Sequence, residues 1–116
     1  MENEEVKYTY EDVVQIPEQL EAVIIGVKLV KAGEIFKDKA KEPEKDTIIF
    51  QIENKEFGVM SYIPVNYFEN GKVPDHSKIG KILERYTKRY GKDWVLGVGS
   101  KIDIERNDKG FWEIKK

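Results

Sequence analysis

Residues 77–90 read SKIGKILERYTKRY, and Ile79, Ile82, Leu83, Tyr86 and Tyr90 fall at offsets of 0, 3, 4, 7 and 11, one face of a 3.6-residue period. Ser77 stands where a hydroxyl can accept a hydrogen bond from an orphan amide of a first helical turn, and Gly91 stands just past the end, where a chain leaves a helix with positive φ. The spacing predicts one amphipathic helix over 77–90. The same residues carry Lys78, Lys81, Arg85, Lys88 and Arg89 against the single acid Glu84, so the stretch specifies a charge as well as a shape.

Working back from the helix, NYFENGKVPDHS holds the turn dipeptides Asn70-Gly71 and Pro74-Asp75. Before it, residues 57–65 and 46–53 read as two strands joined by a tight turn at Asn54-Lys55, with Ile48, Phe50 and Ile52 on one face and Pro64 marking an edge. Residues 33–46, GEIFKDKAKEPEKD, read as a long, mobile, lysine-rich hairpin loop. Residues 20–30 are apolar on both faces, as a long strand shared by two walls of a closed sheet would be, and Gly26 in the middle predicts a sharp bend or bulge. Residues 1–17 form an acidic arm closed by Pro17, in which Val6, Tyr8 and Tyr10 alternate as a short edge strand would. Working forward, residues 94–105 read as a fourth strand with Gly97 and Gly99 near its start, and 111–114 as a fifth after a turn at 107–110.

Three strands, one helix and two strands is the order of the OB barrel, so the expected fold is a mainly β, five-stranded OB-like barrel over 18–116 preceded by the arm. At 116 residues the chain suits one domain, and 40% hydrophobic residues suffice for one core while 36% charged residues demand a densely charged surface. No run approaches the apolar length of a membrane span, and the opening MENEEVKYTYED is unlike a signal peptide, which implies a cytoplasmic protein with no membrane partner. The abundance of Lys and Glu over Asn, Gln and Cys is a thermophile bias.

Catalysis has little to work with. Cysteine is absent, and the one histidine, His76, adjoins Ser77 in a turn, where neither can serve the other as base or nucleophile. Glu53 with Glu56, and Asp103 with Glu105, are scattered acids; the second pair reads as the solvent-facing complement of Ile102 and Ile104. GVGSK at 97–101 lacks the spacing of a phosphate loop and reads as a bent strand or a tight approach of backbones. A non-enzymatic module without cofactor or metal is expected.

Charge is unevenly distributed around a net of −2: residues 1–21 hold seven acids against Lys7, net −6, and residues 78–92 hold six bases against Glu84, net +5. Single-stranded DNA or RNA is held by stacking on aromatic rings beside a basic track. The residues that fit are Lys37, Lys39, Lys41 and Lys45 for phosphates, Tyr62 and Tyr67 for stacking, and Lys81, Arg85 and Lys88 on the helix as a secondary contact. Phe68, near the second and third strands, and Trp112, on the fifth, are further aromatics, while Phe50, Phe57 and Trp94 are assigned to the core. The alternative is a protein-interaction or self-association module in which the acidic arm docks on the basic helix.

HSKIGKILERYTKRYG and VGSKIDIERNDKGFWEIK, about the last two fifths of the chain, resemble small OB-fold nucleic-acid-binding proteins of phages and archaea, in which a third strand runs into a serine-capped helix, a glycine-flanked strand and a short last strand. The resemblance implies binding of single-stranded nucleic acid or of protein.

Overall fold

A computed structural model describes residues 5–116, so Glu2 and Glu4 of the acidic arm lie outside the described residues. Five antiparallel strands, β1 (Gln19–Lys31), β2 (Asp46–Asn54), β3 (Val59–Asn66), β4 (Lys101–Arg106) and β5 (Trp112–Ile114), are arranged in the order β3-β2-β1-β4-β5. β1 pairs with β4 through Gln19–Val23 and with β2 from Val23 onward, so one strand belongs to both walls and the sheet curls into a nearly closed, OB-like barrel. No strand pairing joins β3 to β5, and the remaining gap lies between them.

The bend that lets β1 serve both walls is a bulge. Ile24 pairs with Ile52 and Gly26 with Gln51, leaving Ile25 as the extra residue. A Cβ at Gly26 would come within 3.1 Å of the Gln51 carboxamide oxygen, a close approach that glycine permits. The β2–β3 turn is fastened by Asn54, which accepts from the Phe57 N–H (2.8 Å) and donates to the Glu21 carbonyl on β1 (2.7 Å).

The connection between β1 and β2 departs from the expected loop. It contains a five-residue helix, α1 (Ala32–Phe36), and a turn of 3-10 helix (Lys37–Lys39), and it is tied down where Gly33 N–H donates to the Pro43 carbonyl and Ala32 N–H to the Lys45 carbonyl, both at 2.8 Å. Side chains at Val6, Tyr8 and Tyr10 form no strand: residues 5–15 are exposed, with one 3-10 turn at Tyr10–Asp12. The fourth strand begins at Lys101 rather than at 94. Ser100 causes the difference, because its hydroxyl donates to the Val95 carbonyl and accepts from the Gly97 N–H, folding 95–100 into a knot of turns. Gly99 N–H meets the Ile24 carbonyl at 2.7 Å, the close backbone approach expected of GVGSK.

Helix α2 (Lys78–Tyr90) closes one end of the barrel. Its start is set by Ser77, whose Oγ accepts from Gly80 N–H (3.0 Å) and donates to the Pro74 carbonyl (2.6 Å). Ile79, Ile82 and Tyr86 are buried with Leu20, Ile24, Phe50, Ile52, Ile102 and Ile104, while Leu83, Phe57 and Trp94 pack partly buried against this core. Burial of each such large apolar side chain stabilises by about 1.5–3 kcal/mol relative to exposure. Tyr86 is the one polar member at the centre: its hydroxyl accepts from Asp103 N–H (3.0 Å) and lies 2.9 Å from the Lys115 carbonyl, joining α2 to β4 and to the chain beyond β5. Burial raises its pKa above the ordinary tyrosine value. Its ring stacks on Trp94 with centroids 5.0 Å apart. Among the described residues no helix is long and apolar enough to cross a membrane.

Candidate functional site

Two clefts meet on the outer side of β3. One, of about 410 Å³, crosses the outer face of β1, β2 and β3 and is lined by Gly26, Lys28, Val30, Ile49, Gln51 and Tyr62 with Glu34 and Ile35 of α1 on its rim. The other, of about 530 Å³, fills the gap between β3 and β5 and is lined by Phe36, Tyr62, Phe111, Trp112, Lys78 and Lys116 among others. Tyr62 and Ile35 line both, so the two form one groove with a tyrosine at the junction.

The register explains the groove's floor. Gly26, Gln51 and Tyr62 are successive neighbours across β1, β2 and β3 on the outer face, and the glycine contributes no side chain to it. Tyr62 therefore rises from a low platform and is 63% exposed. The short helix α1 supplies a wall that the expected flexible loop would not.

At the far end, the aromatic pair is set by Asn107. Its Oδ1 accepts from the N–H of Lys109 (2.9 Å) and of Phe111 (3.0 Å), and its backbone N–H donates to the Phe111 carbonyl (2.8 Å). Gly110 takes φ 85, which lets the chain reverse within these bonds. Phe111 is left 67% exposed, and Trp112 lies under Arg106, the guanidinium carbon 4.7 Å from the ring centroid. The charge is mixed: Glu113 accepts from Asn107 Nδ2 at 3.1 Å and faces Lys78 Nζ at 3.8 Å.

The expected site residues fall into three groups. Tyr62 is in the groove. Lys37, Lys39, Lys41 and Lys45 are exposed in the connection that carries α1, next to the groove wall but not lining either cleft, and Lys45 faces Glu42 at 3.7 Å. Tyr67 is half-buried beyond β3 and lines neither cleft.

On α2, Lys81 is exposed, Lys88 pairs with Glu84 at 2.9 Å, and Arg85 faces Asp103 at 3.5 Å. Asp103 does not face solvent as the strand alternation implied. It is half-buried and holds Arg89 at 2.7 Å as well, an attraction that raises the arginine's pKa. Much of the helix's positive charge is thus matched by the barrel's own carboxylates.

Phe36 and Phe111 were missed as site residues because neither carries a pattern of its own: Phe36 follows Ile35 inside a polar connection, and Phe111 precedes Trp112 at the start of what reads as the fifth strand. His76 is exposed, with only Asp75 beside it at 3.4 Å. Among the described residues no three acids, histidines or cysteines are grouped to hold a metal ion. No protein-family model matches the chain, nor does any curated protein or solved structure.

Proposed function

We propose that the protein binds single-stranded nucleic acid, without catalysis, along the groove from the outer face of β1–β3 to the gap between β3 and β5. The observation that carries the reading is the exposed Tyr62 at the junction of the two clefts, with Phe36, Phe111 and Trp112 lining the larger one. A single strand has base faces wanting a ring and a phosphate backbone wanting a cation, and this groove offers rings along its length with Lys28, Lys78 and Lys116 among its walls. Lys37, Lys39, Lys41 and Lys45 stand beside α1, where a strand leaving the groove meets them. The likeness of the C-terminal two fifths to small OB-fold nucleic-acid binders supports the same reading.

The test is fluorescence anisotropy with labelled single-stranded DNA and RNA. Stacking on one ring contributes about 1–3 kcal/mol per base, so Tyr62→Ala should weaken binding by between about fivefold and about 150-fold. Replacing all four loop lysines by glutamine should flatten the salt dependence by about 3 logarithmic units per decade of salt, at about 0.7 per phosphate contact. No binding at low salt, or binding indifferent to Tyr62, overturns the reading.

A further inference from the structure

Beyond Ile24 one flank of β1 pairs with no strand among the described residues. On that side Ile24 exchanges backbone hydrogen bonds with Gly99 and Ser100, and among the described residues no strand pairs there with residues 25–31. Alternate amides and carbonyls of this edge are open, and an open edge is a template for another strand. The side chains along it are apolar as well as accessible. Val27 and Leu29 pair with Phe50 and Ile48 on the inward-facing side of the sheet, yet they are 46% and 51% exposed, with no strand beside them among the described residues.

The same chain carries an unpaired apolar segment. Val6, Tyr8, Tyr10, Val13 and Val14 are all exposed, and Asp12, accepting from the Thr9 N–H at 2.8 Å, fastens a turn that sets off residues 5–9, which belong to no helix or strand and end on an extended Thr9. The arm stands away from the barrel: the radius of gyration is 17.2 Å, against about 13 Å for a compact chain of this length. In the arm Glu5, Glu11 and Asp12 outnumber Lys7, while the edge offers Lys28, its other charged side chain, Lys31, being held by Asp46 at 2.8 Å.

We propose that residues 5–9 of one copy add as a strand to the free edge of β1 in a second copy. Val6 and Tyr8, alternating on one face, then cover Val27 and Leu29. The chain's own arm is badly placed for this, because β4 occupies the flank of β1 from Gln19 to Val23 and the arm would have to pass over it. The helix is a poorer receptor than the edge, its arginines being already held by Asp103.

Sedimentation velocity from about 1 to about 100 µM spans the range in which weak self-association is read. The full chain should gain mass above the monomer with concentration, a chain lacking residues 1–13 should stay monomeric, and so should Leu29→Glu, whose half-exposed side chain leaves folding intact by circular dichroism. The decisive arm is mixing: the arm-deleted chain keeps its edge and Leu29→Glu keeps its arm, so the two together should associate although neither does alone. A full chain that stays monomeric, an arm-deleted chain that still associates, or a mixture that does not associate overturns the proposal.

Discussion

Replacing Tyr86 by Phe removes one oxygen from the centre of the fold and leaves its packing alone, since the ring stacked on Trp94 remains. The hydroxyl has one proton, which goes to the Lys115 carbonyl at 2.9 Å, and it accepts from Asp103 N–H at 3.0 Å. Each bond contributes about 1 kcal/mol net, and the variant leaves a part-buried amide and carbonyl without this partner, so the expected loss is about 2 kcal/mol within a range of about 1–3. An unfolding entropy of about 0.24 kcal/mol/K for a chain of this length makes that a fall of about 8 °C in Tm.

Urea titration followed by tryptophan emission is the assay, because Trp94 reports the stack directly. The pH dependence adds a second check. Burial raises the Tyr86 pKa in the folded state, so the folded chain holds this proton more tightly than the unfolded one, and the associated stability is complete below the ordinary tyrosine value near 10 and is lost as pH rises through the folded value. Lys31 and Arg89, also raised, are common to both chains and cancel in the comparison. The gap between the native chain and Tyr86→Phe should therefore narrow above about pH 10. A loss under about 0.5 kcal/mol, or a gap constant with pH, would refute the assignment of the hydroxyl as a buried link.

Ser77→Ala removes the acceptor for Gly80 N–H and should cost about 1 kcal/mol in urea. Gly80→Ala reverses the usual order of helix propensity: a Cβ there would lie 2.2 Å from the Pro74 carbonyl oxygen, so the variant should lower Tm where an open helical position would raise it. Asn107→Ala frees the N–H groups of Lys109 and Phe111, and should shift Trp112 emission and weaken oligonucleotide binding more than it lowers Tm. Unchanged affinity beside a changed emission spectrum would place Trp112 outside the binding path.

The helix was legible because its signals are local: Ile79, Ile82 and Tyr86 recur at the helical period and Ser77 supplies a cap within three residues. Gly26 was legible for the same reason, as a glycine interrupting a run of β-branched residues. The strand order followed from these. What escaped depends on residues distant in sequence. Asp103 looks like one polar position in an alternating strand, and only the fold brings Arg85 and Arg89 to it from 18 and 14 positions away. The apolar alternation of 94–100 is overridden by a single serine hydroxyl. Helix α1 has five residues, too few to show a period, and Phe36 inside it gives the groove a wall that composition alone reads as a polar loop. Of the aromatic groove, Tyr62 was visible as an exposed residue on the third strand, whereas its partners come from two separate turns.

The bulge at Ile25 also separates the length of β1 from its alignment. Leu20, Ala22 and Ile24 point inward on even positions, and Val27 and Leu29 share the inner side on odd ones. The strand thus carries two alternations in opposite phase, spliced at one residue. Deleting Ile25 would leave every pairing on both sides intact and remove only the bend, while deleting a residue between 27 and 30 would turn those that follow to the wrong face. Among the thirteen positions of β1, the splice is the one at which the chain can lose a residue without losing its place.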